Sequence, residues 1–160
     1  MILLDEARIE RTLKRMAFQI VEMAHGYPVY IVALNERGSS VASSIKNVIQ
    51  KVTGSSVPLD TLDTHEKNSF SLSHPVESDT CLVIVDDVIF SGETIQRAMD
   101  RINELHSFRK ICVSVLVDRG HRKYPVFAEI VGVHVPTKLN EQINLMLRQN
   151  RPEMVILEQL

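Results

Sequence analysis

Residues 81–94 read CLVIVDDVIFSGET, and this stretch restricts the fold more than any other part of the chain. Leu82, Val83, Ile84 and Val85 form an unbroken, mostly β-branched apolar run. Such a run suits a strand buried on both faces at the centre of a parallel sheet. The strand is expected to stop at Asp86 and Asp87, with Val88, Ile89 and Phe90 leading into Ser91, Gly92, Glu93 and Thr94, where a helical pattern begins. In open α/β sheets ligands bind beyond the carboxyl ends of the strands, so strand, acid pair and hydroxyl-bearing turn together describe a site. Gly92 lets backbone approach a ligand, Ser91 and Thr94 offer hydroxyls, and the next helix presents unpaired N–H groups at its positive dipole end. An anion fits there. The carboxylates one step upstream cannot take a phosphate, but they can accept hydrogen bonds from sugar hydroxyls and hold a hydrated Mg²⁺. Two acids alone are more often a solvated turn or a helix cap; the F-S-G-x-T continuation is what makes a sugar-phosphate site the better reading.

The same layout occurs earlier. Asp5 is an N-cap candidate for a first helix with Ile9, Leu13, Met16, Ala17, Ile20 and Val21 at helical spacing, ended by His25, Gly26 and Pro28. Val29–Leu34 reads as a buried strand that runs into a loop at residues 35–38. A second helix follows, with the stripe Val41, Ile45, Val48, Ile49 and Val52, stopped by Gly54. A loop between strand end and helix start exposes N–H groups, and Arg37 adds a charged fork that matches two phosphate oxygens.

Residues 57–62 predict another strand, after which 63–80 (DTHEKNSFSLSHPVESDT) show no period and read as a mobile loop. Its cationic candidates are His65 and Lys67, either catalytic or simply solvated. A third helix is predicted over 94–105, with Ile95, Ala98, Met99, Ile102 and Leu105 inward. Strands are predicted at 111–117 and 126–131, separated by the polar cluster Asp118, Arg119, Gly120, His121, Arg122 and Lys123. The tail alternates at Ile143, Leu145 and Leu147 and again from Met154 to Leu157, so a terminal β-hairpin with its turn at 150–152 is expected.

At 160 residues the chain is expected to be one domain with a full core. Lys and Arg total 18 against 20 Asp and Glu, a formal charge of −2, so any nucleic-acid face must be a local patch. Cys81 and Cys112 lie inside apolar runs without metal-ligand or CxxC spacing, which predicts buried thiols in a reducing cytosol. No apolar run approaches a membrane span and acids precede any signal-like core, so a soluble cytoplasmic protein is expected.

With these residues the chain resembles the type I phosphoribosyltransferases, whose signature is a hydrophobic strand, two acids and a T/S-G-x-T phosphate loop, and whose shared substrate is phosphoribosyl pyrophosphate. Within them it is most similar to the PyrR family, pyrimidine operon regulators that are also uracil phosphoribosyltransferases. The narrower likeness is carried by ILLDEARIERTLKRMAFQIVE, VALNERGSSVA and VLVDRGHRKYPVFAEIVGVHVPT, and reaches from residue 2 to about residue 137.

The resemblance implies a single α/β domain with a mainly parallel central sheet flanked by helices, a small hood and the C-terminal β-hairpin. It makes Asp86 and Asp87 catalytic, fixing ribose hydroxyls, stabilising a cationic anomeric carbon and holding Mg²⁺ through water. Val88, Phe90, Ser91, Gly92, Glu93 and Thr94 would bind the 5′-phosphate, and Asn35, Glu36, Arg37 and Gly38 the pyrophosphate. Asp118, Arg119, Gly120 and His121 would face the base, and 63–80 would be the flap, with His65 and Lys67. Glu36, Glu93 and a flap without arginine depart from the family pattern. The implied reaction is uracil plus phosphoribosyl pyrophosphate to UMP plus pyrophosphate, in a homodimer or larger oligomer. The alternatives are a nucleotide-sensing RNA-binding regulator with weak or no catalysis, or a phosphoribosyltransferase for another base. For RNA, Lys14 and Arg15 are basic positions of the first helix, whereas Phe18 stands where such regulators typically have histidine.

Overall fold

A computed structural model describes residues 1–160. The chain opens with a short strand, β1 (Ile2–Leu4), and helix α1 (Glu6–Ala24). Asp5 caps this helix by accepting a hydrogen bond from Arg8 N at 2.9 Å, and His25 closes it in the left-handed conformation at φ 48°. Ile9, Leu13, Met16, Ala17 and Ile20 are buried along one face, at about 1.5–3 kcal/mol for each large side chain removed from water.

β2 (Val29–Leu34), β3 (Leu59–Leu62), β4 (Cys81–Ile89), β5 (Lys110–Asp118) and β6 (Ile130–His134) form an all-parallel sheet in the order β3-β2-β4-β5-β6. Helix α2 (Asn35–Thr53) links β2 to β3, and α3 (Glu93–Arg101) follows β4. Ile31, Ala33, Val83 and Val85 pack toward α1 and α2; Tyr30, Val32, Leu82 and Ile84 pack toward α3. Both faces are covered, which is why β2 and β4 are apolar without alternation. Strand order reverses between β2 and β4, and a crevice opens beyond their carboxyl ends at such a point.

The tail forms β7 (Glu141–Arg148) and β8 (Arg151–Gln159), and β1 joins them in an antiparallel sheet ordered β1-β8-β7. The hairpin turns at Gln149 and Asn150, both at positive φ (52° and 62°), as a tight two-residue connection requires. Leu4, Ile143, Leu145 and Val155 bury this hood against the α1–α2 side of the core.

Several expectations are corrected. β4 does not stop at the acids: its ladder with β5 continues through Asp86↔Val115 to Ile89↔Asp118. Val85 and Val88 join the same core face, so the two-residue alternation breaks at the acid pair. Residues 35–38 are not a loop but the first turn of α2, entered through Asn35 at φ 61°. α3 ends at Arg101, because Ile102 turns extended and bridges Phe70, whose N–H bonds Arg101 O at 2.7 Å. Leu105 belongs instead to a separate 3-10 turn, Leu105–Ser107.

β3 begins at Leu59, since Pro58 has no N–H to give and offers only its carbonyl to Ile31 N (2.9 Å). β6 begins at Ile130; Val126 is held in a tight turn on Tyr124 O, and Val126 and Ala128 are buried without a ladder. The hairpin turn falls one residue earlier than expected, Val52 is 46% exposed, and β1 was not anticipated. Both thiols are buried and free, with burial pushing Cys112 up to about 12. No helix is long and apolar enough to cross a membrane.

The segment 63–80, expected to be mobile, is seated along much of its length. Asp60 on β3 accepts hydrogen bonds from Tyr30 Oη, Ser73 Oγ and Ser73 N, and His74 N donates to Tyr30 Oη at 3.2 Å. Burial alone would raise the Asp60 pKa, but the Ser73 and Tyr30 hydrogen bonds outweigh it and hold the carboxyl below its usual range. A depressed folded pKa contributes stability above the unfolded carboxylate value, lost as pH falls through the folded value. Tyr30→Phe removes one of these donors and should cost about 1–2 kcal/mol at pH 7. Urea unfolding checks this: the gap to wild type should be full at neutral pH and shrink below about pH 4.

Candidate functional site

The crevice at the strand-order reversal gathers two helix N-termini around the acid pair. Asp86 is buried (6% exposed) and accepts Asp87 N on Oδ1 at 2.8 Å. Burial, reinforced by the neighbouring Asp87 charge, pushes its carboxyl well above the usual range. Asp87 is half-buried beside it. The first turn of α2 lies directly on this strand: a β-carbon at Gly38 would stand 3.0 Å from Val85 O and 3.4 Å from Asp86 Oδ1. Glycine at 38 is therefore a packing requirement that brings the turn up to the acids.

Past Ile89 the chain makes the expected turn. Gly92 sits at φ 85° as the N-cap of α3, with Val126 Cγ2 only 3.1 Å from where its β-carbon would be. Ser91 Oγ accepts Glu93 N (3.2 Å), and Gln96 N is the first to bond back, to Gly92 O. Thr94 and Ile95 N–H are left at the helix mouth without an intrahelical partner. Glu93, an awkward neighbour for an anion, is drawn along the helix by Arg97 at 2.9 Å. Val88 is half-buried and packs into the core rather than the turn.

Around the α2 turn, Glu36 is exposed, and Arg37 donates through Nε to Leu145 O of the hood at 2.9 Å, which ties α2 to β7. The Asn35 side chain is turned to Thr64, its Nδ2 donating to Thr64 Oγ1 at 2.9 Å and its Oδ1 accepting Thr64 N at 3.0 Å. His65 and Lys67 are exposed on the adjoining loop, where His65 N donates to Asp63 Oδ1 at 2.9 Å.

The polar cluster after β5 is built differently from expectation. Asp118 is held bidentately by Arg122 (3.0 and 2.7 Å) and also accepts Gly120 N; these bonds, outweighing burial, keep its carboxyl below the usual range. Arg119 is buried, donating to Thr137 Oγ1 (2.9 Å) and Glu141 O (2.6 Å), with its guanidinium 4.2 Å from the centre of the Phe90 ring. His121 bonds Thr137 O and meets Phe90 edge-on. These side chains fasten the loop to the hood and to Phe90, which stays 39% exposed.

Two arginines outside the expected site residues hold these loops in place. Arg122 was visible, since Asp118 and Arg122 stand four apart. Arg101 was not: from the end of α3 it donates to Asp63 O (2.5 Å) and Asn68 O (2.6 Å), a tie to the 63–80 segment that no spacing rule signals. A cavity of about 560 Å³ opens at the opposite end of the sheet among Ala24, Tyr27, Val29, Ile49 and Val57, and shares no residue with this crevice.

A family model for the phosphoribosyl transferase domain matches residues 2–142. The chain is 35% identical over 162 residues to the bifunctional protein PyrR of Staphylococcus carnosus, covering 92% of each chain. It is 31% identical to that of Pediococcus pentosaceus, covering 97% of this chain and 96% of the relative. Among solved structures, the hypoxanthine phosphoribosyltransferase of Trypanosoma cruzi superposes with a TM-score of 0.74 at 16% identity, covering 99% of this chain and 95% of that one. A hypoxanthine-guanine phosphoribosyltransferase from Bacillus anthracis gives 0.69 at 20% identity, over 86% and 83%.

Proposed function

The chain belongs to the phosphoribosyl transferase family, and on that premise we propose that it transfers the ribosyl phosphate of phosphoribosyl pyrophosphate to uracil, giving UMP and pyrophosphate. The observation that carries this reading is the convergence of Asp86 and Asp87 with the first turns of α2 and α3 at one crevice. Displacement at the anomeric carbon passes through a cationic, oxocarbenium-like state. A protein promotes it by holding the leaving group, the ribose and the base in line and by placing negative charge where positive charge develops.

Thr94 and Ile95 N–H, with the Ser91 and Thr94 hydroxyls, would hold the 5′-phosphate at the α3 N-terminus. The acid pair would accept the ribose hydroxyls and lie beneath the anomeric carbon. The first turn of α2 and the outer nitrogens of Arg37 would receive the pyrophosphate. With Asp118, Arg119 and His121 engaged inside their loop, base contacts fall to that loop's main chain and the open part of the Phe90 ring. The hard carboxylate oxygens of Asp86 and Asp87 fit Mg²⁺, and no third acid, His or Cys joins them, so water and substrate would complete its shell. Bound there, Mg²⁺ neutralises charge on the leaving pyrophosphate.

Uracil is favoured over a purine by the likeness to PyrR proteins across nearly the whole chain; the purine enzymes, at 16–20% identity, share the fold. An RNA-binding regulator is supported less. Arg15, one of its two basic positions, is spent on Gln19 (2.8 Å) and the Gly132 carbonyl (2.5 Å). The test is product formation from phosphoribosyl pyrophosphate, Mg²⁺ and a panel of bases. UMP from uracil alone supports the proposal, a purine nucleotide overturns the base, and UMP binding without any product makes the site a sensor.

A further inference from the structure

We infer that Asn35 is a positioning residue that couples occupancy of the α2 first turn to the 63–80 segment through its clasp on Thr64. The inference deepens the proposed function and rests on it for the identity of the anion as pyrophosphate. Asn35 stands at φ 61°, a backbone conformation that non-glycine residues adopt rarely, as the first residue of α2 directly after β2, where the opening N–H groups of the helix have no intrahelical partner. Its amide is used on both sides, donating to Thr64 Oγ1 and accepting Thr64 N, and Thr64 is only 7% exposed. A second tie runs parallel to it, Thr61 Oγ1 to Ser39 Oγ at 3.1 Å. From the other side Arg101, at the end of α3, holds Asp63 O and Asn68 O.

The base of the segment is thus gripped by both helices whose N-termini form the two anion subsites. Between the grips lie residues 65–67, exposed, with Lys67 among them. An anion drawing on the N–H groups of residues 36–38 therefore acts on the joint that also sets Thr64, and through it on where residues 65–67 stand relative to the leaving group. Asparagine serves both needs, since it tolerates positive φ and carries a donor and an acceptor.

Asn35→Gly separates the two roles, because glycine keeps the left-handed backbone and deletes the clasp. Turnover, UMP affinity by calorimetry, and tryptic cleavage after Lys67 with and without Mg²⁺-pyrophosphate are measured on wild type and Asn35→Gly. In wild type, Mg²⁺-pyrophosphate should slow cleavage after Lys67. In Asn35→Gly that protection should vanish and kcat/KM for phosphoribosyl pyrophosphate should fall on the order of tenfold, with UMP affinity within about twofold because UMP lacks pyrophosphate. Asn35→Gly with wild-type protection and turnover overturns the inference. So does equal loss of UMP affinity and melting temperature, which marks a merely structural role. Wild type that binds UMP yet shows no protection by pyrophosphate sinks the coupling and leaves the proposed function standing. If wild type turns over no base, the proposed activity fails, and protection lost in Asn35→Gly still upholds the coupling.

Discussion

Replacing Asp86 and Asp87 together by asparagine is expected to lower kcat/KM for phosphoribosyl pyrophosphate by at least about a thousandfold while the protein stays folded. On the proposed function, the substitution would remove both negative charges next to the carbon where positive charge develops, and with them the acceptors for the ribose hydroxyls. Folding should survive for a reason specific to this pair. Asp86 is almost fully buried, its carboxylate accepts the Asp87 N–H, and an asparagine carbonyl can accept that bond as well. A buried carboxylate crowded by a second one opposes folding at neutral pH, so the neutral amides should leave the melting temperature unchanged or raise it. Steady-state turnover and a thermal melt on the same preparation check both halves. A melting temperature that drops with activity would mean that the acids hold the strand together.

Gly132→Ala should have the largest effect on stability without touching the chemistry. Gly132 lies in β6 where α1 crosses it, and an added β-carbon would run into the Leu116 carbonyl and approach Thr12 Cγ2 to 2.8 Å. The first of these is backbone of the neighbouring strand and cannot rotate away. Overpacking of this kind costs about 1–3 kcal/mol, and in a domain of this size each kcal/mol lowers the melting point by about 2–4 °C. Trimming Thr12 to serine should recover little, because the carbonyl contact remains. Urea unfolding of the single and double variants, with KM for phosphoribosyl pyrophosphate held near wild type, checks the assignment. Of β6, His134 comes near the proposed base side, its Nδ1 3.9 Å from Asp118 Oδ2, and Gly132 lies two residues before it.

Much of this was legible where local chemistry decides the structure. The unbroken apolar runs at Val29–Leu34 and 82–85 gave the two central strands, Asp5 and Gly54 marked helix ends, and F-S-G-x-T marked the turn into α3. Tertiary context decided the rest. Nothing in Asp86 or Asp87 says strand, and only the continued ladder with β5 keeps them in one. Ile102 and Leu105 keep helical spacing, yet Phe70, far away in sequence, ends α3 by taking over backbone bonds beyond Arg101. The polar residues after β5 were found as a cluster, but their side chains bond to one another and to Thr137 and Glu141, partners that no spacing rule connects. β1 is three residues long and too short for any periodic signal.

The placement of the 5′-phosphate at the β4–α3 turn is the claim on which the rest depends, and amide chemical shifts test it most directly. Titrating UMP into isotope-labelled protein should move the N–H resonances of residues 91–95 and leave those of 36–38 in place, whereas phosphoribosyl pyrophosphate with Mg²⁺ should move both groups. UMP that binds while the resonances of residues 91–95 stay unmoved would contradict the account.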